Sequence, residues 1–500
     1  MKKYYITTTL PYVNADPHIG FALEIIQADV LARYHRLLGE DVVFNTGTDE
    51  HGLKIFRKAE ENGMDAQSYT DMYAARFDSL KQSLNLSYTN FIRTTNIDHK
   101  KAAQEFWNRC LANDDIYKKV YQVKYCVGCE LEKTDSELVD GKCPIHPKME
   151  LELINEENYF FRWSKYQQPL LDLYEKHPDF VMPENRLHEI KNFVSAGLQD
   201  FSISRLKEKM PWGVPVPGDD AQVMYVWFDA LVNYISTLGW PHDQANFDVC
   251  WPGVQVAGKD NLRQQSAMWQ GMLMSAGLPN SKQIFIHGFI TSEGQKMSKS
   301  LGNVVNPLDI VEQYGTDPVR FYLLGALSSY EDGDYSKARF EEYYTAHLAN
   351  GIGNLTARII TMVEKFGNNV IPEQAGDCFD IAGRWDRYEK ALAVYNFEEA
   401  VKTVNELVAA CDEKISNEKP WEKVKLGEDV SVLIYQLAET LRHLGMMLMP
   451  ILPAAAEKIL KQMAISTDSL KTLGEEQKWG GLKKGDTIAK ADVLFPRLVK

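Results

Sequence analysis

No stretch of this 500-residue chain is long and apolar enough to suggest a membrane span. The longest uncharged apolar run, GMMLMPILPAAA from Gly445, is broken by Pro450 and Pro453 and falls short of the ~20 residues a bilayer requires. The opening MKKYYITTTLPYVNADPH has two lysines but lacks an apolar h-region and a small-residue cleavage site. Threonines, Pro11 and Asn14 stand there instead, so the segment reads as a β-strand of a cytoplasmic protein and not as a signal peptide. Cysteines are few and odd in number, seven, and three of them crowd between 126 and 143; this suits thiolates held for a metal in a reducing compartment better than a disulfide framework. Positive charge is in deficit as well. A formal net charge of -14 argues against a surface coated in positive charge, yet leaves room for one local basic track that holds a polyanion. Internal repeats and low-complexity linkers are absent.

What remains is a long chain with 45% hydrophobic residues, enough for about three domains. KYYITTT at residues 3–9 reads as a buried strand. A loop with Pro11, Pro17 and Gly20 follows, then Leu23, Ile26, Val30, Tyr34 and Leu37 at helical spacing, ended by Gly39. DVVFNTG from Asp41 is a second strand. Strand, helix, strand at this length is a βαβ unit, whose ligand site lies at the strand C-terminal ends, near residues 10–20 and 46–52. Further strands are expected at 222–228, 253–257 and 284–290, so the sheet resumes after an insertion at 113–221. From about residue 341 amphipathic helical stretches follow one another as a bundle packed against the rest.

Pro17-His18-Ile19-Gly20 sits at the mouth of the first helix, where free N–H groups favour an anion, Gly20 admits it, and His18 offers a hydrogen bond to phosphate oxygen. Alone this is a weak signal. Its partner is GQKMSKSLGN at 294–303, which places Lys296 and Lys299 together after a strand, where they can neutralise charge on a triphosphate. GVQVAGKD at 253–260 nearly fits a Walker loop, but Asp260 replaces the magnesium-binding hydroxyl and the residues between the glycines alternate like a strand; a P-loop is rejected and Asp260 is assigned to a ribose. Cys126, Cys129, Cys143 and His146 read C-x₂-C-x₁₃-C-x₂-H, two tight pairs able to wrap one tetrahedral Zn²⁺. All four ligands come from protein, so the ion is expected to be structural.

The PHIG and KMSKS pair resembles the signature of class I aminoacyl-tRNA synthetases. With LPYVNADPHIG, TGTDEHG, YVWFDA, SISR, PWG, AGKD and NEKPW, the whole chain is similar to the methionyl-tRNA synthetase family. The resemblance implies an α/β Rossmann-type class I catalytic domain with a zinc-binding insertion, followed by an all-α anticodon-binding bundle. The boundaries are 1–112 and 222–340 for the catalytic halves, 113–221 for the insertion and 341–500 for the bundle. It also implies ATP-dependent activation of methionine and transfer to the 3′ end of its tRNA, the initiator included. On this reading His18, Lys296 and Lys299 are catalytic. ATP is held by them with Gly20, Gly258 and Asp260, and methionine by Leu10, Tyr12, Asp49, Trp227, Ala230, Leu231, Tyr234 and Gln265. Asn354, Arg358 and Trp421 read the anticodon, one structural Zn²⁺ is bound per chain, and Mg²⁺ accompanies ATP.

Two departures stand out. Phe21 occupies the fourth position of the His-Ile-Gly-His element and cannot donate to phosphate, and Gln265 stands where the family often has histidine. Phe21 raises the alternative of a catalytically impaired paralogue that retains RNA binding. A small-molecule nucleotidyltransferase is a second rival, for which the helical bundle has no evident use. No appended oligonucleotide-binding module follows the bundle, so a monomer is expected.

Overall fold

The computed structural model describes residues 2–129, 131–133, 137–297, 303–489 and 492–498. Six described strands form one parallel sheet: β1 (Lys3–Thr8), β2 (Asp41–Thr48), β3 (Asn90–Arg93), β4 (Val181–Met182), β5 (Val254–Gly258) and β6 (Gln283–His287), in the order β3-β2-β1-β5-β6-β4. Tyr4, Ile6, Val254, Val256, Ile284 and Ile286 are all buried, as a parallel sheet covered on both faces demands. The order reverses between β1 and β5, which pair in the register Ile6↔Val254 to Thr8↔Val256. Connections leave these two strands in opposite directions, and the crevice they open at the strand C-termini is where such sheets take ligands.

Helix α1 (Ile19–Leu37) crosses from β1 to β2. Its core side merges with the C-terminal helices: one hydrophobic cluster runs from Ile6 and Ile26 through Phe321 to Leu441 and Ile459, while a second on the opposite sheet face joins Tyr5 and Ile284 to Trp107, Phe161 and Trp240. Arg320, on α2 (Thr316–Gly325), ties the two regions. Fully buried, it pairs with Asp29 of α1 at 2.8 Å and donates to the carbonyls of Pro450 and Ile451 in the bundle, both at 2.9 Å. Bundle and catalytic sheet therefore share one core.

Two expectations need correction. The strand at 222–228 does not rejoin the parallel sheet: Asp219–Met224 belongs to a separate three-stranded antiparallel sheet, and Val226–Ala230 is a helical turn. Its apolar run fits either state, and the chain passes from the strand through Tyr225, an extended N-cap, into the helical turn. Conversely, Val181–Met182, within the stretch assigned to the insertion, pairs with Ile284 and Phe285 as the edge of the main sheet. The glycines of GVQVAGKD bracket strand β5, in keeping with rejection of a phosphate loop.

Candidate active site

His18 is the N-cap of α1, in extended backbone, and its Nδ1 accepts from the Gly20 N–H at 3.1 Å. An imidazole whose Nδ1 accepts carries its proton on Nε2, so the ring offers an N–H donor to the crevice. The residue is exposed. Protein atoms crowded behind it disfavour the charged form and hold its pKa below the ordinary imidazole value, against an opposing pull from Glu24. Gly20 keeps the turn open, because a Cβ there would meet the His18 ring at 3.0 Å.

Glu24, one turn into α1, organises the crevice and was not visible as a site residue in the sequence. One carboxylate oxygen accepts from the Thr9 N–H at 2.8 Å and hydroxyl at 2.6 Å; the other accepts from the Gly258 N–H and from His287 Nε2, both at 3.1 Å. A single side chain thus pins the ends of β1, β5 and β6. At Gly258 an added Cβ would lie 2.8 Å from Asp260 Oδ1, so a larger residue there would displace that carboxylate as the strand end passes into the Lys259–Asn261 segment. Asp260 there accepts from Asn261 Nδ2 at 3.2 Å.

Burial by itself disfavours a charged His287, but its bond to Glu24 and that carboxylate's charge, then the Gly288 carbonyl, outweigh burial and raise its pKa. The fold therefore holds a proton that an unfolded imidazole would release. This stabilisation is complete below about pH 6.5 and is lost as pH rises through the raised value. Melting temperature is expected to decline across that window, and to decline less in His287→Gln, which keeps a donor but does not titrate. Parallel profiles for the two proteins would assign the decline to other groups.

The residues expected around an amino acid do converge from distant segments. The Asp49 N–H donates to the Pro11 carbonyl at 3.0 Å and the Val13 N–H to the Asp49 carbonyl at 3.3 Å, so the loops after β1 and β2 bring Leu10, Tyr12 and Asp49 together. Asp49 is buried. Tyr12 meets the Trp227 ring edge-on with centroids 6.3 Å apart. Ala230, Leu231 and Tyr234 are buried on two short helical turns, not on one continuous helix face, and Gln265 donates to Tyr234 Oη at 2.6 Å. A buried chain missed in the sequence braces these turns: Asp229 bonds His51 Nδ1 at 2.6 Å and His99 Nε2 at 2.8 Å. Burial alone would raise the Asp229 pKa, but the two histidines hold it at about 2. TDEHG and WFDA contain two of these residues, but only the fold pairs them.

Ile290–Ser292 and Gln295–Lys296 form a hairpin, so Lys296 begins on a strand and not in a loop. Lys299 lies outside the described residues. Where the chain is described again, the Val305 carbonyl accepts from the Ile19 N–H at 3.0 Å. The exit of the lysine segment is thereby joined to the first turn of the His18 helix, across nearly the whole catalytic sequence.

Cys126, Cys129, Cys143 and His146 have their ligand atoms all within 4.8 Å of one another. Cys129 Sγ lies 3.4 Å from Cys143 Sγ and 3.2 Å from His146 Nδ1. Metal–sulfur bonds of about 2.3 Å place tetrahedral ligands roughly 3.5 to 3.8 Å apart, so the donor set fits a metal ion. In the bundle, Asn354 and Arg358 lie one turn apart on α3 (Asn354–Gly367). Asn354 is exposed, whereas Arg358 is half-buried in an ion pair with Asp412 on α4 (Phe397–Glu418). Trp421, on α5 (Pro420–Lys425), keeps 42% of its surface exposed.

The family pattern described as tRNA synthetases class I (M) matches residues 4–153 and 145–360, and the anticodon binding domain of methionyl tRNA ligase matches 367–500. The chain belongs to the methionyl-tRNA synthetase family. Among curated family members, methionine–tRNA ligase of Thermosynechococcus vestitus is 42% identical over 518 residues, covering 99% of this chain and 98% of the relative. That of Thermotoga maritima is 39% identical over 510 residues, covering 99% and 80%. The Mycobacterium tuberculosis methionyl-tRNA synthetase in complex with methionyl-adenylate superposes with a TM-score of 0.94 at 35% identity, over 99% of this chain and 100% of that one. The two departures from the family pattern have structural accounts. Phe21 is buried edge-on against Phe77, centroids 5.4 Å apart, and turns into the core. Gln265 takes up Tyr234 as a hydrogen-bond partner. No helix among the described residues is long and apolar enough to cross a membrane.

Proposed function

We propose that this methionine–tRNA ligase activates methionine with ATP and passes the methionyl group to the 3′-terminal adenosine of its tRNA, the initiator included. In the first step the methionine carboxylate attacks the α-phosphorus, forming methionyl-adenylate and expelling pyrophosphate. In the second an adenosine ribose hydroxyl attacks the mixed anhydride carbonyl and AMP leaves. Positioning and charge stabilisation supply most of the acceleration, and no covalent intermediate with the protein is required.

Each side chain has a place in this scheme. His18 Nε2–H donates to a phosphate oxygen as charge builds there, and Lys296 and Lys299 close over the triphosphate that Mg²⁺ accompanies. Gly20, Gly258 and Asp260 admit the nucleotide, Asp260 facing its ribose. Asp49 neutralises the α-ammonium, and Leu10, Tyr12, Trp227, Ala230, Leu231, Tyr234 and Gln265 enclose the unbranched thioether, whose polarizable sulfur favours aromatic neighbours. Cys126, Cys129, Cys143 and His146 would hold one Zn²⁺, closed to water and structural. Asn354, Arg358 and Trp421 read the anticodon. The enzyme works as a cytoplasmic monomer.

The observation that carries the proposal is the bond from Ile19 to Val305, which supports convergence of the PHIG turn and the KMSKS segment at the β1/β5 crevice. Methionine-dependent exchange of labelled pyrophosphate into ATP by the pure, zinc-replete protein is the decisive assay. Exchange is expected; its absence would revive the impaired paralogue, which nothing in the comparisons favours. Cys143→Ser should leave less than one zinc per chain by metal analysis and lower the melting temperature. Undiminished zinc would remove Cys143 from the ligand set.

A further inference from the structure

Behind Tyr234 runs a buried chain of polar side chains, Gln265, Gln255, Ser281 and Gln270, none more than 6% exposed. It starts on backbone groups whose roles cannot be exchanged. The Ser281 N–H donates to Gln270 Oε1 at 3.0 Å, and Gln270 Nε2 donates to the Gln265 carbonyl at 2.8 Å. A backbone N–H only donates and a carbonyl only accepts, so the Gln270 amide has one possible orientation. Its Nε2 also donates to Ser281 Oγ at 3.0 Å, which sends the serine's single proton to Gln255 Oε1 at 2.6 Å. Gln255 Nε2 is then left to donate to Gln265 Oε1 at 3.1 Å, and Gln265 Nε2 to Tyr234 Oη at 2.6 Å. Each link is forced by the one before it.

At the end of the chain the phenol oxygen accepts, and its own proton is left over. Among the described residues no protein oxygen accepts it, although Tyr234 is buried. Burial, and more weakly the charges of Glu24 and Asp49, push the phenol pKa up, against the hydrogen bonds from Gln265 and Asn233, so the proton stays on. An unmet buried donor is costly unless a ligand supplies the acceptor.

We propose that Gln255, Ser281 and Gln270 are positioning residues that lock Tyr234 as a hydrogen-bond donor to the thioether sulfur, and so select methionine over its sulfur-free isostere norleucine. The proposal rests on the reading of this chain as a methionine-activating enzyme. A thioether and a methylene differ little in shape, so an apolar slot alone separates them poorly. The sulfur's weak acceptor capacity is the polar difference. A Gln265 free to turn over would present Oε1 to Tyr234, capture its proton and erase that difference. Gln255 prevents the turn, since it would set one amide donor against another.

The test is the methionine-to-norleucine ratio of kcat/KM in pyrophosphate exchange, followed from about pH 6 to pH 9. In the native protein nothing in the relay titrates there and the ratio should be flat. Gln255→Glu mimics the amide while protonated, donating to Gln265 and accepting from Ser281. Once ionised it only accepts, so Gln265 must turn over. The ratio in this variant should fall about two- to tenfold as pH rises, with a midpoint above the ordinary glutamate value because the site is buried. Ser281→Ala should lower the ratio at every pH and Ser281→Thr, which keeps the hydroxyl, should restore it; this pair decides the matter if the glutamate variant fails to fold. A flat, native ratio in Gln255→Glu or in Ser281→Ala overturns the relay while leaving the activity intact. Loss of exchange in the native protein would instead sink the reading beneath it.

Discussion

Replacing His18 by alanine is expected to slow methionine-dependent pyrophosphate exchange by about 10²- to 10³-fold, the effect of removing one preorganised donor to a developing negative charge. The magnitude follows from how the ring is held. Its Nδ1 is already engaged by the Gly20 N–H, so no reorganisation is needed to aim Nε2–H at the crevice. Its lowered pKa keeps it a neutral donor near pH 7, where an imidazolium would bind ground-state phosphate as readily as the transition state. The loss should therefore appear in kcat, with the KM for methionine changed by no more than about twofold. Steady-state exchange at saturating ATP separates the two. If His18→Ala retains more than about a third of the native rate, the histidine is only a helix cap.

Trp421→Ala is expected to show the opposite split. An indole left 42% exposed on a short helix contributes little to the core, so the melting temperature should hardly move. A base stacked on that indole is worth about 1 to 3 kcal/mol. Charging of tRNA should therefore drop by roughly 5- to 150-fold in kcat/KM, while pyrophosphate exchange, which needs no tRNA, stays native. Trp421→Phe, which keeps a smaller stacking face, should fall between. Equal losses in both assays would point to a folding defect and remove Trp421 from the anticodon site.

Arg358 shows why the bundle resists reading from its sequence. The spacing of Asn354 and Arg358 places them on one helix face, but it says nothing of Asp412, which arrives from α4 and pairs with the guanidinium in the free protein. Burial raises the Asp412 pKa even against that pairing, a sign that the pair is only partly solvated. A base that takes up Arg358 must compete with this carboxylate. The same limit applied at 222–228, where an apolar run fitted a strand and the chain instead turned into the helical elements carrying Trp227 and Tyr234.

The sequence alone determined what local chemistry can specify. The strand and helix of KYYITTT and the following apolar series, the PHIG and KMSKS segments, the C-x₂-C and C-x₂-H pairs and the shift to helical periodicity beyond residue 341 all depend on residues within a few turns of one another. Only the tertiary structure decided which distant groups meet. Glu24 gathers three strand ends, Asp229 is held between His51 and His99, Arg320 joins α1 to the bundle, and Gln255 sets the direction of a hydrogen bond at Tyr234. These are buried polar groups, and in a low dielectric each must find its partner wherever the chain brings one. Their spacing in sequence carries no periodic signal, because the partners are fixed by the order of strands in the sheet and not by the order of residues in the chain.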